Sequence, residues 1–168
     1  DICPSRGLGD VYKRQPADYT AECSDEHPLE DATAADVCSG VEVTVVADTT
    51  MGECPQSYTV VRTFTATDEC GNSSMAMQTI TIQDTTAPML TIPADYTAEC
   101  DEELVFEDAS ASDNCGSASI TLEEVTVDTD CEQEFSIERT FTATDECGNS
   151  VSATQTITVV DTTAPAIT

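Results

Sequence analysis

The sequence has no tryptophan, a single histidine and only five basic residues among 168. Each shortage excludes something. Five Lys and Arg stand against 33 Asp and Glu, for a formal net charge of −28. A nucleic-acid partner is therefore not expected, because there are almost no cations to neutralise phosphates. No apolar run approaches the ~20 residues of a transmembrane helix, so no membrane insertion is expected. There is no Cys-x-x-Cys and no histidine at zinc-ligand spacing. There is no G-x-S-x-G, P-loop or H-E-x-x-H element, and the chain does not read as an enzyme. Aromatics make up 5% of the chain, too few for one large core. The chain opens without Met or an apolar leader and reads as an internal stretch of a longer protein.

What is present is a repeat. Pro16 to Cys23 (PADYTAEC) recurs verbatim at Pro93 to Cys100, and Thr63 to Ser73 (TFTATDECGNS) recurs at Thr140 to Ser150. Asp84-Thr85-Thr86-Ala87-Pro88 recurs at Asp161 to Pro165, and every offset is 77. Aligned without gaps, 16–91 and 93–168 share 42 identical positions. A period this long predicts two small autonomous domains, 16–92 and 93–168, in a tandem array. Residues 1–15 stand outside the pattern yet hold three of the five basic residues. They resemble translated sequencing-adapter read-through, and the reading is of a non-native, unstructured segment with Cys3 unpaired.

Each unit reads as antiparallel β. Phe135, Ile137, Arg139, Phe141 and Ala143 share one side of an extended segment, as do Tyr58, Val60, Arg62, Phe64 and Ala66. A period of two marks a strand with one buried face. Ile80 and Ile82, Ile157 and Val159, Val41, Val43 and Val45, and Ile120 and Leu122 predict further strands of the same kind. Threonine supplies 27 residues, which favours strands over helices. With turn signals at Asp113-Asn114-Cys115-Gly116 and Cys147-Gly148-Asn149, the pattern predicts two β-sandwiches.

Four cysteines recur per unit at the 77-residue offset: Cys23, Cys38, Cys54 and Cys70, then Cys100, Cys115, Cys131 and Cys147. Without metal-ligand partners they read as disulfides formed in an oxidising compartment. Cys131 and Cys147 flank a strand whose ends lie roughly 40 Å apart, whereas a disulfide needs Cα atoms within ~7 Å. Cys115 and Cys131 also flank a strand. The pairing expected is therefore Cys100–Cys131 with Cys115–Cys147, and Cys23–Cys54 with Cys38–Cys70, one staple at each end of each sandwich.

These residues resemble a known family. The Asp-Thr-Thr-Ala-Pro link, the F-T-A-T-D-x-C-G-N signature, the closing T-I-T-V strand and four cysteines per unit are similar to hyalin-type (HYR) repeats. The kind most like them is the four-cysteine HYR-like repeat of bacterial secreted and surface proteins. The resemblance covers nearly all of 16–168. It implies an immunoglobulin-like β-sandwich, a role in cell-surface adhesion, and a large protein of the type exported by the type IX secretion system. Animal hyalin repeats typically carry two cysteines, and this sequence departs from them there.

Four constellations bear on chemistry. In an immunoglobulin-like unit the link at Asp84 enters beside Asp113-Asn114 and Asp145-Glu146, which gathers hard oxygen ligands of the kind Ca²⁺ takes. No EF-hand spacing is present, and no other cofactor is required. Arg62 and Arg139, the only cations of the repeats, fall on the apolar-parity face; they read as structural ion pairs, stems on the core and heads on rim carboxylates. The lone His27 is replaced by Leu104 in the second unit, which excludes a role common to the repeats. Asp48, Asp84 and Asp161, each followed by two threonines, resemble bacterial O-glycosylation acceptors, though the plainer reading is a Thr-rich link.

The function expected is a structural spacer or adhesion repeat of a large extracellular or cell-surface bacterial protein, with neighbouring repeats of the same chain as its partners. The alternatives are a module binding surface glycans or proteins, and an accessory repeat of a secreted hydrolase.

Overall fold

A computed structural model describes residues 12–36 and 40–167. Among these the chain is all β, in two compact units, Asp1–Asp84 and Thr85–Thr168. The first contains β1 (Tyr12–Arg14), β2 (Tyr19–Glu22), β3 (Thr33–Ala35), β4 (Val41–Met51), β5 (Tyr58–Asp68) and β6 (Ser73–Gln83). The second contains β7 (Met89–Thr91), β8 (Tyr96–Glu99), β9 (Ser110–Ser112), β10 (Ala118–Asp128), β11 (Phe135–Asp145) and β12 (Ser150–Val160). Every strand of the second unit starts 77 residues after its counterpart.

Each unit is an immunoglobulin-like β-sandwich of unequal layers. The large sheet runs β4-β5-β6 as an antiparallel meander, and β2 adds to β6 in parallel. In the second unit the order is β10-β11-β12-β8. The small sheet is a pair of three-residue strands, β1 with β3 and β7 with β9. The meander follows from the alternation: Phe64 and Ala66 of β5 and Ile80 and Ile82 of β6 are buried, as are Phe141, Ala143, Ile157 and Val159. The hairpin between the last two strands closes through Gly71 and Gly148, whose φ angles of 85° and 90° lie in the left-handed region.

Three features differ from the sequence expectation. The units meet after Asp84, not at residue 93, because β7 pairs with β9 and carries the preceding link into the second unit. Tyr12–Arg14, expected to be unstructured, forms β1 in the slot that Met89–Thr91 fills in the second unit. Ladder hydrogen bonds are made by the backbone, so the slot accepts any stretch without proline. Residues 1–11, with Cys3, lie outside the described residues. The apolar side chains of β4 and β10, expected to be buried, are exposed: Val45 is 49% and Leu122 43% accessible. The small sheet is too narrow to cover them.

Candidate functional site

The D-E-C-G-N stretch builds the end of each unit from its own backbone. Asp145 Oδ1 accepts the N–H groups of Cys147 at 2.8 Å and Asn149 at 2.9 Å, and its Oδ2 accepts Asn149 Nδ2 at 2.8 Å. Asp68 makes the same three bonds to Cys70 and Asn72 at 2.9, 2.8 and 2.7 Å. A carboxylate that collects this many donors is held in its charged form. Burial pushes the Asp145 carboxyl up, but the bonds from Asn149, Cys147 and Gly148 together hold it below the usual carboxylate value. At Asp68 the Asn72 side chain is the largest cause and the direction is the same. The first task of these aspartates is therefore to hold the hairpin.

Asp113 faces this turn within the second unit. Its Oδ1 accepts Cys115 N–H at 2.9 Å, while its Oδ2 is buried with no hydrogen-bond partner. The carboxylates of Asp113 and Asp145 offer oxygens within 4.8 Å of one another. An open groove lined by Thr86, Ala87, Met89 and Ser112 reaches Asp113 and Asn114. Two carboxylates this close repel unless a cation or a proton intervenes. Of the other residues expected here, Asp84 is 7% exposed and closes the first unit. Asn114 directs its amide to Cys115 Sγ at 3.3 Å, and Glu146 is exposed.

The two arginines are built into the core. Arg139 is 3% exposed; its Nη1 donates to Gln155 Oε1 at 3.0 Å and to the Glu107 carbonyl at 2.9 Å, and its Nε to Glu124 Oε1 at 2.8 Å. Its guanidinium lies over the rings of Phe141 at 5.0 Å and Phe106 at 5.1 Å. Arg62 repeats this with Gln78, the Glu30 carbonyl, Asp31 and Phe64. Gln155 Nε2 in turn donates to the Ala94 carbonyl, and Gln78 Nε2 to that of Ala17, both at 2.8 Å. Asp95 Oδ1 accepts Thr156 N–H at 2.8 Å, and Asp18 Oδ1 accepts Thr79 N–H at 2.7 Å. The verbatim Pro-Ala-Asp thus docks the incoming chain against the last strand before parallel pairing begins.

Gln78 and Gln155 were missed as partners by sequence reasoning. Their signal was present: a glutamine at inward parity, 77 residues apart, followed on that side by Ile80 and Ile82 or Ile157 and Val159. His27 is half-buried, and its ring nitrogens make no hydrogen bond.

Cys23, Cys54, Cys115 and Cys147 are in disulfide bonds. Cys70, Cys100 and Cys131 are exposed free thiols, so neither the Cys100–Cys131 nor the Cys38–Cys70 bond is formed in this structure. Cys38 lies outside the described residues. Cys100 follows β8 and donates its N–H to Val160, while Cys131 lies in the turn between β10 and β11, at the same end of the sheet. Local chemistry favours the thiol: desolvation, followed by the charges of Asp161, Asp101 and Glu99, pushes the Cys100 thiol up.

Residues 88–159 match the family model of the HYR-like domain with 4 cysteines. The second unit is an HYR-like domain. The first shares 42 of 76 aligned positions with it and the same strand order. No curated protein matches the chain. Among solved structures, it is similar to human mucin-like protocadherin EC1-2 at 13% identity and a TM-score of 0.36, covering 89% of this chain and 98% of that one. It is similar to Drosophila N-cadherin EC1-4 at 17% identity and a TM-score of 0.35, covering 86% and 48%. Likenesses this slight carry no argument about ligands. The HYR family is adhesion-type, not enzymatic. Among the described residues no helix is long and apolar enough to cross a membrane.

Proposed function

We propose that this chain is a spacer-type adhesion segment of a large extracellular or cell-surface bacterial protein, in which tandem HYR-like domains hold other domains away from their anchor. One observation carries the reading: two units of one strand order and one hydrogen-bonded interior repeat at a fixed 77-residue interval. Such an arrangement suits extension better than catalysis. The link is restrained at its start, since Thr162 donates its N–H to Glu99 Oε2 at 3.1 Å and its hydroxyl to the same carboxylate. Proline at position 165 limits the flexibility beyond it. Neighbouring repeats are its partners, and the expected pairs Cys100–Cys131 and Cys38–Cys70 complete the staples when the protein is oxidised.

We further assign Ca²⁺ to Asp113 and Asp145 of the second unit. The unpartnered Asp113 Oδ2 is the support: a buried carboxylate oxygen without a donor is the group a hard cation satisfies. The test is thermal unfolding of the oxidised chain with Ca²⁺ and then with EDTA. We expect Ca²⁺ to raise the midpoint by several degrees, as binding to the folded state does, and Asp113→Asn to abolish the rise. An unchanged midpoint removes the cation and leaves the turn aspartates purely structural.

A further inference from the structure

Strands β4 and β10 occupy the free edge of the large sheet in each unit. Each has 11 residues, so the edge is roughly 36 Å long. About half of its backbone N–H and C=O groups point away from the neighbouring strand, as on any edge. Its side chains are exposed on both faces. Val43 and Val45 share the face of Ala66 and Phe64, and Val46 lies on the opposite face; they are 37%, 49% and 63% accessible. In the second unit Leu122 shares the face of Phe141, and Val125 and Val127 lie opposite, at 43%, 55% and 44%.

Proteins guard long edges with lysine, proline, bulges or short strands. Neither β4 (VEVTVVADTTM) nor β10 (ASITLEEVTVD) contains lysine or proline. The charges they do carry are all negative: Glu42 and Asp48 in β4, and Glu123, Glu124 and Asp128 in β10. In a chain of net charge −28 these carboxylates repel another copy of the same edge. They do not repel a strand carrying cations, whose side chains would meet them while its backbone completes the ladder. Among the described residues, Glu124 alone of these carboxylates is engaged by an arginine of its own unit.

We propose that β4 and β10 are docking edges for an extended, lysine- or arginine-bearing segment of a partner protein, which adds as a fifth strand to each sheet. The apolar residues on both faces supply contact, the backbone supplies affinity, and the acidic row supplies selection by sign. This assignment does not rest on the spacer reading; a chain that fails as a spacer could still bind at its edges.

The experiment titrates the full oxidised chain with three synthetic peptides. One alternates lysine and valine, one alternates glutamate and valine, and one is the lysine–valine peptide with a central proline. We expect two sites per chain for the first, loss of binding for the second, and at least about ten-fold weaker binding for the third, because proline cannot continue a ladder. Val46→Lys with Val125→Lys, both exposed positions, should weaken the first peptide by about ten-fold or more while leaving the unfolding midpoint in place. Protection of β4 and β10 amides from hydrogen exchange on binding would locate the site. Equal binding of the proline peptide would reduce the effect to charge attraction and overturn the proposal. So would unchanged affinity of the double variant, or dimerisation of the free chain that the double variant abolishes, which would make the occupant a second copy.

Discussion

A buried arginine is costly unless its donors and its neighbours' acceptors find partners. Arg139 answers three of its five donors through Gln155, Glu107 and Glu124 and lays the guanidinium over Phe141 and Phe106. Arg139→Met keeps the stem but leaves Gln155 Oε1 and the Glu107 carbonyl without a donor. Each such orphan costs about 1–3 kcal/mol, so the variant should lower the urea midpoint clearly, whereas Glu124→Gln at the half-exposed end should change it little. Asp145 supports a prediction in pH. Its native pKa is depressed, so its contribution is complete above the unfolded value of about 3.9 and is lost as pH falls through the lower native value. The stability difference between the wild type and Asp145→Asn should be constant from pH 7 to about pH 5 and shrink below about pH 4. A difference that grows on acidification would reverse the assignment. Arg62 and Arg139 were legible from parity as core stems with heads on rim carboxylates, which Asp31 and Glu124 supply, but their glutamine and carbonyl acceptors were not. Two of the acceptors are backbone carbonyls in an irregular stretch, where sequence has no period to read.

At the scale of elements, strands with one wet face declared themselves. β5, β6, β11 and β12 alternate cleanly, and their buried positions are those that period two selects. β4 and β10 alternate as well, yet the structure leaves them open. Alternation records which side chains could be buried, whereas coverage depends on the width of the opposite layer, which local sequence does not state. The first strand slot makes a similar point. Tyr12–Arg14 has no repeat identity but holds the register of Met89–Thr91, because pairing there needs only free backbone. Lys13 stands where the second unit has the half-buried Leu90. Replacing Tyr12-Lys13-Arg14 by Met-Leu-Thr should therefore stabilise the first unit by about 1 kcal/mol, measurable as a later unfolding transition with no change in m-value.

For the whole molecule, covalent staples and charge act on different terms. A disulfide closing a loop of the size separating Cys100 from Cys131 contributes about 3–4 kcal/mol in the chain-entropy model. Full reduction should thus cost several kcal/mol and abolish folding of a unit with so small a core. Peptide mapping without reduction reads the pairing directly, and a Cys131–Cys147 peptide would defeat the proposed connectivity. The domain count was legible from one offset. The division after Asp84 was not, since Asp-Thr-Thr-Ala-Pro is equally a tail to the unit before it and a leader to the unit after it.

The parallel ladder beside the last strand bears on force. β8 follows the start of the second unit and β12 ends it, and the two lie side by side, with Tyr96 opposite Ile157 and Glu99 opposite Val160. Pulling on the two ends drags these neighbours in opposite senses along their shared axis. The hydrogen bonds of the ladder are then sheared together instead of being peeled one at a time, and the Asp95 and Gln155 contacts beside them share the load. Under tension a domain's lifetime is set by its unfolding rate. A short parallel patch between an early strand and the last strand is thus a mechanical latch against tension along the chain.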